Sequence, residues 1–344
     1  MRAPVVSAPH EYVGAERTLV RLLDLMRGGR LPVRFLPLVN RFHTAVSEDP
    51  DSRCHVLALS HDEMGVLFDG LADPLEPVVA VALSSTCKGL RTPLRAGLEV
   101  LKKRHVRAAD LCARIGCSCL ALSRRCDVRL DGFWRRFTGL SANDMATMAM
   151  IMRTNALPRL LILDLSENGL RDADMQALFE GLGHGAAPLL YRLSLGDNSF
   201  RPAGAEALAA ALVRGAMPKL VELDLRGNPI SNQGVAALAA PLRKLPTLQE
   251  LHVSNCEIGD EGVTSLVANL GKTDFKALWL LNLDGNKITD AGCARLVRTL
   301  KASAMSIPLL GEVVLEGNLA SAAANRAVYD ALAARRAVAR QGQD

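Results

Sequence analysis

A chain of 344 residues with 49 % hydrophobic content has room for more than one domain and enough apolar material for a sizeable core, which excludes a disordered protein. Its 41 basic and 36 acidic side chains leave a net charge of +5, too mild for wholesale nucleic-acid binding, and 4 % aromatic content gives little to stack on bases. No run of about eighteen apolar residues is present to cross a membrane, and eight cysteines at irregular spacings fit a reducing, intracellular compartment, cytoplasmic or nuclear.

The first stretch carries acids at Glu11, Glu16 and Asp24 and no continuous apolar segment, which is poor material for a signal peptide. Leu19, Leu22, Leu23 and Met26 predict a packed amphipathic helix ended by Gly28-Gly29, and residues 34–58 read as a helix after Pro37 followed by a loop. Residues 59–104 hold three helical stripes. Ser60 or Asp62 caps the first, with Met64, Leu67, Phe68 and Leu71 on one side; Asp73 to Pro77 breaks it; Val78 to Leu83 forms the second; the third follows Pro93. A small helical cap domain accounts for this pattern, and so does a docking device.

Cys112, Cys117, Cys119 and Cys126 lie near His105, but C-x4-C-x-C-x6-C lacks the paired C-x-x-C spacing of structural zinc, so neither a metal nor another cofactor is expected. Between Lys102 and Arg136 ten basic residues face three acidic ones, which makes either a solvated face or a landing strip for an acidic partner.

From residue 160 a unit repeats. The frame L-x-x-L-x-L-x-x-N occurs at Leu160, Leu190, Leu220 and Leu278, and in variant form at Leu248 (with Val253 and Cys256) and Leu310 (with Val313), so successive starts along the chain differ by 30, 30, 28, 30 and 32 residues. Leu-x-Leu alternation predicts a short strand in each unit. Ten and fourteen residues after each Asn or Cys stand Leu178 and Leu182, Leu208 and Leu212, Leu238 and Leu242, Leu266 and Leu270, Leu296 and Leu300, then Val328 and Leu332, the stripe of a helix. The Asn amide is suited to satisfying backbone groups where the strand turns away, as a ladder from unit to unit. Cys256 interrupts that ladder as a small buried residue. One period back, Leu130 and Phe133, with Leu140, Met145, Met148 and Met152, predict a degenerate capping repeat over 130–159, its methionines filling core. Asn325 to Arg340 should form a closing helix with Arg335, Arg336 and Arg340 outward, inside a C-terminal cap and tail over 333–344.

The six framed units resemble the leucine-rich repeat family, and their length with a full helix is similar to its ribonuclease-inhibitor subtype. That resemblance covers residues 160–332 and implies an α/β horseshoe solenoid, with parallel inner strands and outer helices, preceded by a small all-α domain over 1–129. Within that domain Leu67-Phe68-Asp69-Gly70-Leu71 and Cys87-Lys88-Gly89-Leu90-Arg91 resemble the F-box family, although Leu59-Ser60 stands where that family has Leu-Pro, and Leu90 where it has Trp. The resemblance implies docking onto a Skp-type adaptor of a cullin ubiquitin ligase through Leu67, Phe68, Leu71, Leu75 and Leu90, as helix-in-groove binding. Repeats of this subtype with acidic faces also occur in Ran GTPase-activating proteins, so a regulator of a small GTPase is the alternative, beside a bare scaffold. The ending ARRAVARQGQD and the long helical N-terminal part both depart from that family.

Strand alternation places the residues between the framing leucines on the inner face. Among them seven acids (Asp164, Glu222, Asp224, Glu250, Asp284, Glu312 and Glu316) accompany two bases, Arg192 and Arg226, and one histidine, His252. That asymmetry predicts a partner protein with a basic surface, and the exposure expected of Glu222 and Asp224 makes them the natural pair to reverse. Catalytic signatures are missing: the seven histidines are scattered, and neither a nucleophile motif nor a phosphate loop occurs, so no enzyme is expected.

Overall fold

A computed structural model describes residues 72–75, 77, 80–81, 94–129, 140–268, 270–271, 273–302 and 307–341. They fall into two compact units, one holding residues up to Arg124 with Met150–Pro158, the other Arg125–Ala149 and Arg159 onward.

The first unit contains helix α1 (Arg95–Arg114), which starts just after Pro93 as the sequence predicts and buries Leu101, Ala108, Leu111 and Cys112. Gly116 takes a left-handed φ of 70°, so that Cys117 N–H donates to Cys112 O (2.9 Å) and Gly116 N–H to Ala113 O (3.1 Å), closing the helix in a Schellman turn. A short helix α2 (Cys119–Ser123) follows, its first turn capped where Ser118 Oγ accepts Ala121 N–H (3.2 Å). Because α1 runs unbroken past residue 104, the expected end of the F-box-like segment falls inside a helix. His105 hydrogen-bonds the Pro74 carbonyl (2.8 Å).

The second unit is one parallel sheet whose seven strands follow chain order: β1 (Asp127–Arg129), β2 (Ile162–Asp164), β3 (Arg192–Ser194), β4 (Glu222–Asp224), β5 (Glu250–His252), β6 (Leu280–Asn282) and β7 (Glu312–Val314). The intervening helices are α3 (Ala142–Arg153), whose residues from Met150 on are counted with the first unit, α4 (Asp172–Phe179), α5 (Pro202–Val213), α6 (Ser231–Arg243), α7 (Asp260–Val267) and α8 (Asp290–Ala302), with α9 (Ala322–Gln341) last. Register brings Leu163, Leu193, Leu223, Leu251, Leu281 and Val313 into one buried line, so the predicted frame is the spine of the core.

Three expectations need correction. The degenerate repeat does not take its frame from Leu130: fully buried Val128 pairs with Leu163, so the strand is Asp127–Arg129 and the unit begins before the predicted 130–159. Met145, Met148 and Met152 of α3 do fill core. Helices α4 and α7 stop a turn early, leaving Leu182 buried and Leu270 half-buried beyond their ends. After α4 the glycines at 181, 183 and 185 favour turn over helix, Gly181 with φ 71°. Arg335 does not face outward; its guanidinium donates to the Ile307 carbonyl (3.0 Å) and burial lowers its pKa, while Arg336 is exposed as expected.

Two ladders hold repeat to repeat. Asn198 Nδ2 donates to Leu195 O of its own unit (2.9 Å) and Leu165 O of the preceding one (3.0 Å), while its Oδ1 accepts the N–H groups of Asn168 and Leu170 (3.0 Å each). Asn286 repeats the pattern with Val253 O, Cys256 N–H and Ile258 N–H. Cys256 supplies half a rung: its thiol donates to Leu225 O and Ser254 O (3.2 Å each) but has no oxygen to accept. The Ile230 N–H, equivalent to that of Leu170, closes instead on Asn228 O (2.7 Å).

The second ladder was not foreseen. The first or second helical residue of one unit caps the helix of the next: Asp172 Oδ1 accepts Arg201 and Gly204 N–H (2.7 and 2.8 Å), Asn232 Oδ1 accepts Gly259 and Gly262 N–H (2.7 and 3.1 Å), and Asp260 Oδ1 accepts Thr289 and Gly292 N–H (2.9 Å each). A Cβ at Gly262 would stand 2.8 Å from Asn232 Oδ1 and 2.6 Å from Ile258 Cγ2, so the glycine admits the cap. At the equivalent position 202 stands Pro, with no acceptor, and α6 accordingly has no side-chain cap. Among the described residues no helix is long and apolar enough to cross a membrane.

Candidate protein-binding face

Parallel register sorts the outward side chains into rows crossing the strands. The first runs Asp127, Ile162, Arg192, Glu222, Glu250, Leu280, Glu312; the second runs Arg129, Asp164, Ser194, Asp224, His252, Asn282, Val314. Past the strand ends the backbone ladder continues through Gly196, Arg226, Ser254, Asp284 and Glu316, which make a third row with Ser166. All ten predicted face residues therefore share one surface. Asp127 and Arg129 join it, with Arg129 Nε 3.7 Å from Asp127 Oδ2. Their Asp-Val-Arg alternation was visible in the sequence, but the frame set on Leu130 passed over it.

Neighbouring strands stand about 4.8 Å apart, so an arginine in one row reaches a carboxylate on the next strand. Arg192 Nε donates to Glu222 Oε2 (2.6 Å), and its Nη2 contacts the same oxygen. Arg226 Nε lies 3.4 Å from Asp224 Oδ2 and 3.5 Å from Asp197 Oδ2, while Asp224 Oδ1 accepts the Arg226 N–H (3.0 Å). Gly196 makes room for this arrangement, since a Cβ there would come within 3.0 Å of Arg226 Cγ. As a result the side chains of Glu222 and Asp224 are only 13 % and 10 % exposed, against the expectation that both are open. The arginines lie over them.

The remaining acids differ. Among the described residues no Lys or Arg forms an ion pair with Asp164, Asp284, Glu312 or Glu316; the first two are half-buried and the last two exposed. Among the described residues Glu250 pairs with His252 alone, with Oε2 3.3 Å from Nε2. Glu222, Glu250 and His252 bring ligand atoms within 4.8 Å of one another, the one such group of three among the described residues. A divalent cation there would have to draw Glu222 away from Arg192.

The buried thiols of Cys256 and Cys112 are poor nucleophiles. Burial pushes the Cys256 thiol up to about 12, and burial together with the adjoining thiols of Cys119 and Cys117 raises Cys112 as well. Of the adaptor-docking candidates, Leu67, Phe68, Leu71 and Leu90 lie outside the described residues. Leu75 is a correction: it is 3 % exposed, tucked behind a turn in which its N–H donates to Asp73 Oδ1 (2.8 Å), so it belongs to the interior.

The Leucine Rich repeat family model matches residues 158–179, 216–239, 244–267 and 280–297. Residues 158–297 are a leucine-rich repeat array, and the unit of β3 and α5, between the first two matches, carries the same frame and the same asparagine rung. No curated protein matches the chain.

Proposed function

We propose that this chain holds a partner protein with a basic surface against the C-terminal part of its strand face, through Glu250, His252, Asp284, Glu312 and Glu316. Leucine-rich repeats serve generally as protein-interaction modules, and long solenoid surfaces suit that use. The observation that carries the reading is that Asp284, Glu312 and Glu316, on β7 or just past β6 and β7, form no ion pair among the described residues, whereas Glu222 and Asp224 on β4 are covered by Arg192 and Arg226. Steering by such a face falls with added salt. Titration of the full chain with a lysine- and arginine-rich peptide should show affinity that drops at least tenfold between 20 mM and 200 mM salt, roughly as screening requires; salt-independent binding counts against it.

The finer reading is a substrate receptor of a cullin ubiquitin ligase, acting in the cytoplasm or nucleus, with residues 59–104 docking a Skp-type adaptor through Leu67, Phe68, Leu71 and Leu90. Its support is the residue pattern itself, and the helix that the apolar stripe predicts after Pro93 is present as α1. Micromolar binding of the full chain to such an adaptor, lost in Leu67→Ala/Phe68→Ala with unchanged circular dichroism, is the expected result. Without it the helical part is a cap, and small GTPases become the next partners to titrate.

A further inference from the structure

The residue just before each strand also belongs to the ladder. Tyr191 N–H donates to Leu161 O (2.8 Å), Val221 to Tyr191 O (2.8 Å), Gln249 to Val221 O (2.8 Å), Trp279 to Gln249 O (2.9 Å) and Gly311 to Trp279 O (2.8 Å). These residues make a fourth row along the leading edge of the sheet, one residue before Arg192, Glu222, Glu250, Leu280 and Glu312. The open members of the row are Leu161 (42 % exposed), Tyr191 (48 %), Gln249 and Trp279 (39 %), apolar but for Gln249, and Leu309, two residues before Gly311, is 61 % exposed. Between the two aromatics stand Val221, buried, and Gln249, exposed next to Trp279, so the low place lies over Val221 beside Tyr191.

Single exposed apolar side chains are ordinary, but four on one edge form a line. Tyr and Trp are also the side chains that most often anchor an interface, joining a large apolar body to a polar tip. With a strand spacing of about 4.8 Å, Tyr191 and Trp279 stand three steps or about 14 Å apart, the reach of roughly four residues of extended chain. The adjoining row carries Arg192, paired with Glu222, and then Glu250 and Glu312, while Arg336 Nη2 would lie 3.5 Å from a Cβ at Gly311; between those two arginines the edge has negative charge alongside its apolar contact.

We infer that the edge from Leu161 to Leu309 is the anchor line for an extended, basic segment of the partner. That segment crosses the strands, seats a large apolar side chain over Val221 beside Tyr191, passes Gln249 to reach Trp279, and turns Lys or Arg toward Glu250 and Glu312. The inference rests on the charge reading above and adds the partner's conformation and its apolar anchor. It also explains a departure from surface expectation, since one of the chain's two tryptophans stands open to solvent.

The test is selection of a random twelve-residue peptide library, displayed on phage, against the full chain at low salt. A selected peptide is then synthesised and titrated by fluorescence anisotropy against wild type, Tyr191→Ala/Trp279→Ala and Asp284→Lys/Glu312→Lys/Glu316→Lys. Enrichment of peptides joining Lys or Arg to Trp, Phe or Leu is expected, with affinity at least tenfold lower in both variants. Peptide should also shift the tryptophan emission of wild type but not of Trp279→Phe. Loss in the lysine variant alone, with the aromatic variant within twofold of wild type, overturns the anchor line and leaves the charge reading standing. Loss in the aromatic variant alone overturns the basic occupant and the charge reading together. Failure of both variants to weaken binding, or no basic and apolar peptides among those enriched, overturns the inference as well.

Discussion

The strand face has two halves that carry similar numbers of acids, two and three, and differ in what faces them. On β3 and β4 the register puts Arg192 opposite Glu222, and Arg226 folds back over Asp224; on β6 and β7 it puts Leu280 opposite Glu312 and Asn282 opposite Val314. The first half is a closed ionic patch and the second an open acidic one. A count of acids therefore says little about what a solenoid face can bind, because the same carboxylate is structural beside an arginine and available beside a leucine.

The sharpest way to break this comparison is to reverse charges in each half. Glu222→Lys/Asp224→Lys places two cations, largely covered, against Arg192 and Arg226, and should cost about 3 kcal/mol, seen as an earlier urea midpoint with unchanged slope. Arg192→Leu makes the first half resemble the second. It leaves the mostly covered Glu222 without its partner and should cost about 1 kcal/mol by the same measurement, since Arg192 itself is half exposed.

Between the halves lies the weak rung at Cys256, which predicts a pH dependence. Its folded pKa, about 12, is above the 9.0 of an open thiol, so the unfolded chain releases this proton first. The stabilising effect of the neutral thiol is complete below pH 9.0 and is lost as pH rises from there toward about 12. At pH 10 wild type should have lost about 1 kcal/mol through this group, and Cys256→Asn, which also restores the missing acceptor, should lose none of that share. Equal losses in both proteins would show that the thiol is not the source. The smallest effect belongs to the open half: Asp284→Lys/Glu312→Lys/Glu316→Lys should leave stability within about 0.5 kcal/mol, because among the described residues those carboxylates make no ion pair. A large drop in its thermal midpoint would erase the distinction between the halves.

Much of this architecture was legible from Leu160 onward. The frame placed β2 to β7 and their buried leucines, since a period near thirty residues admits one register and one alternation. What escaped was contact across that period. Arg192 and Glu222 are thirty positions apart, as are Asn232 and Gly262, so an arginine lying over its neighbour and an amide capping the next helix become visible only when units are stacked. The first strand escaped for a different reason: Val128 is 35 residues before Leu163, and a degenerate cap need not keep the period. The short α4 was signalled by Gly181 and Gly183, but a leucine stripe reads the same whether its last member ends a helix or follows it.

Carboxylate footprinting tests the central claim most directly. The full chain would be treated with a water-soluble carbodiimide and glycine ethyl ester, with and without a bound basic peptide, and the labelled residues mapped by mass spectrometry. The account predicts that Asp284, Glu312 and Glu316 label readily in the free chain and are protected by the peptide, while Glu222 and Asp224 label slowly in both. Protection confined to helix-side acids such as Glu206 or Glu261, with Asp284, Glu312 and Glu316 labelling equally in both states, would contradict it.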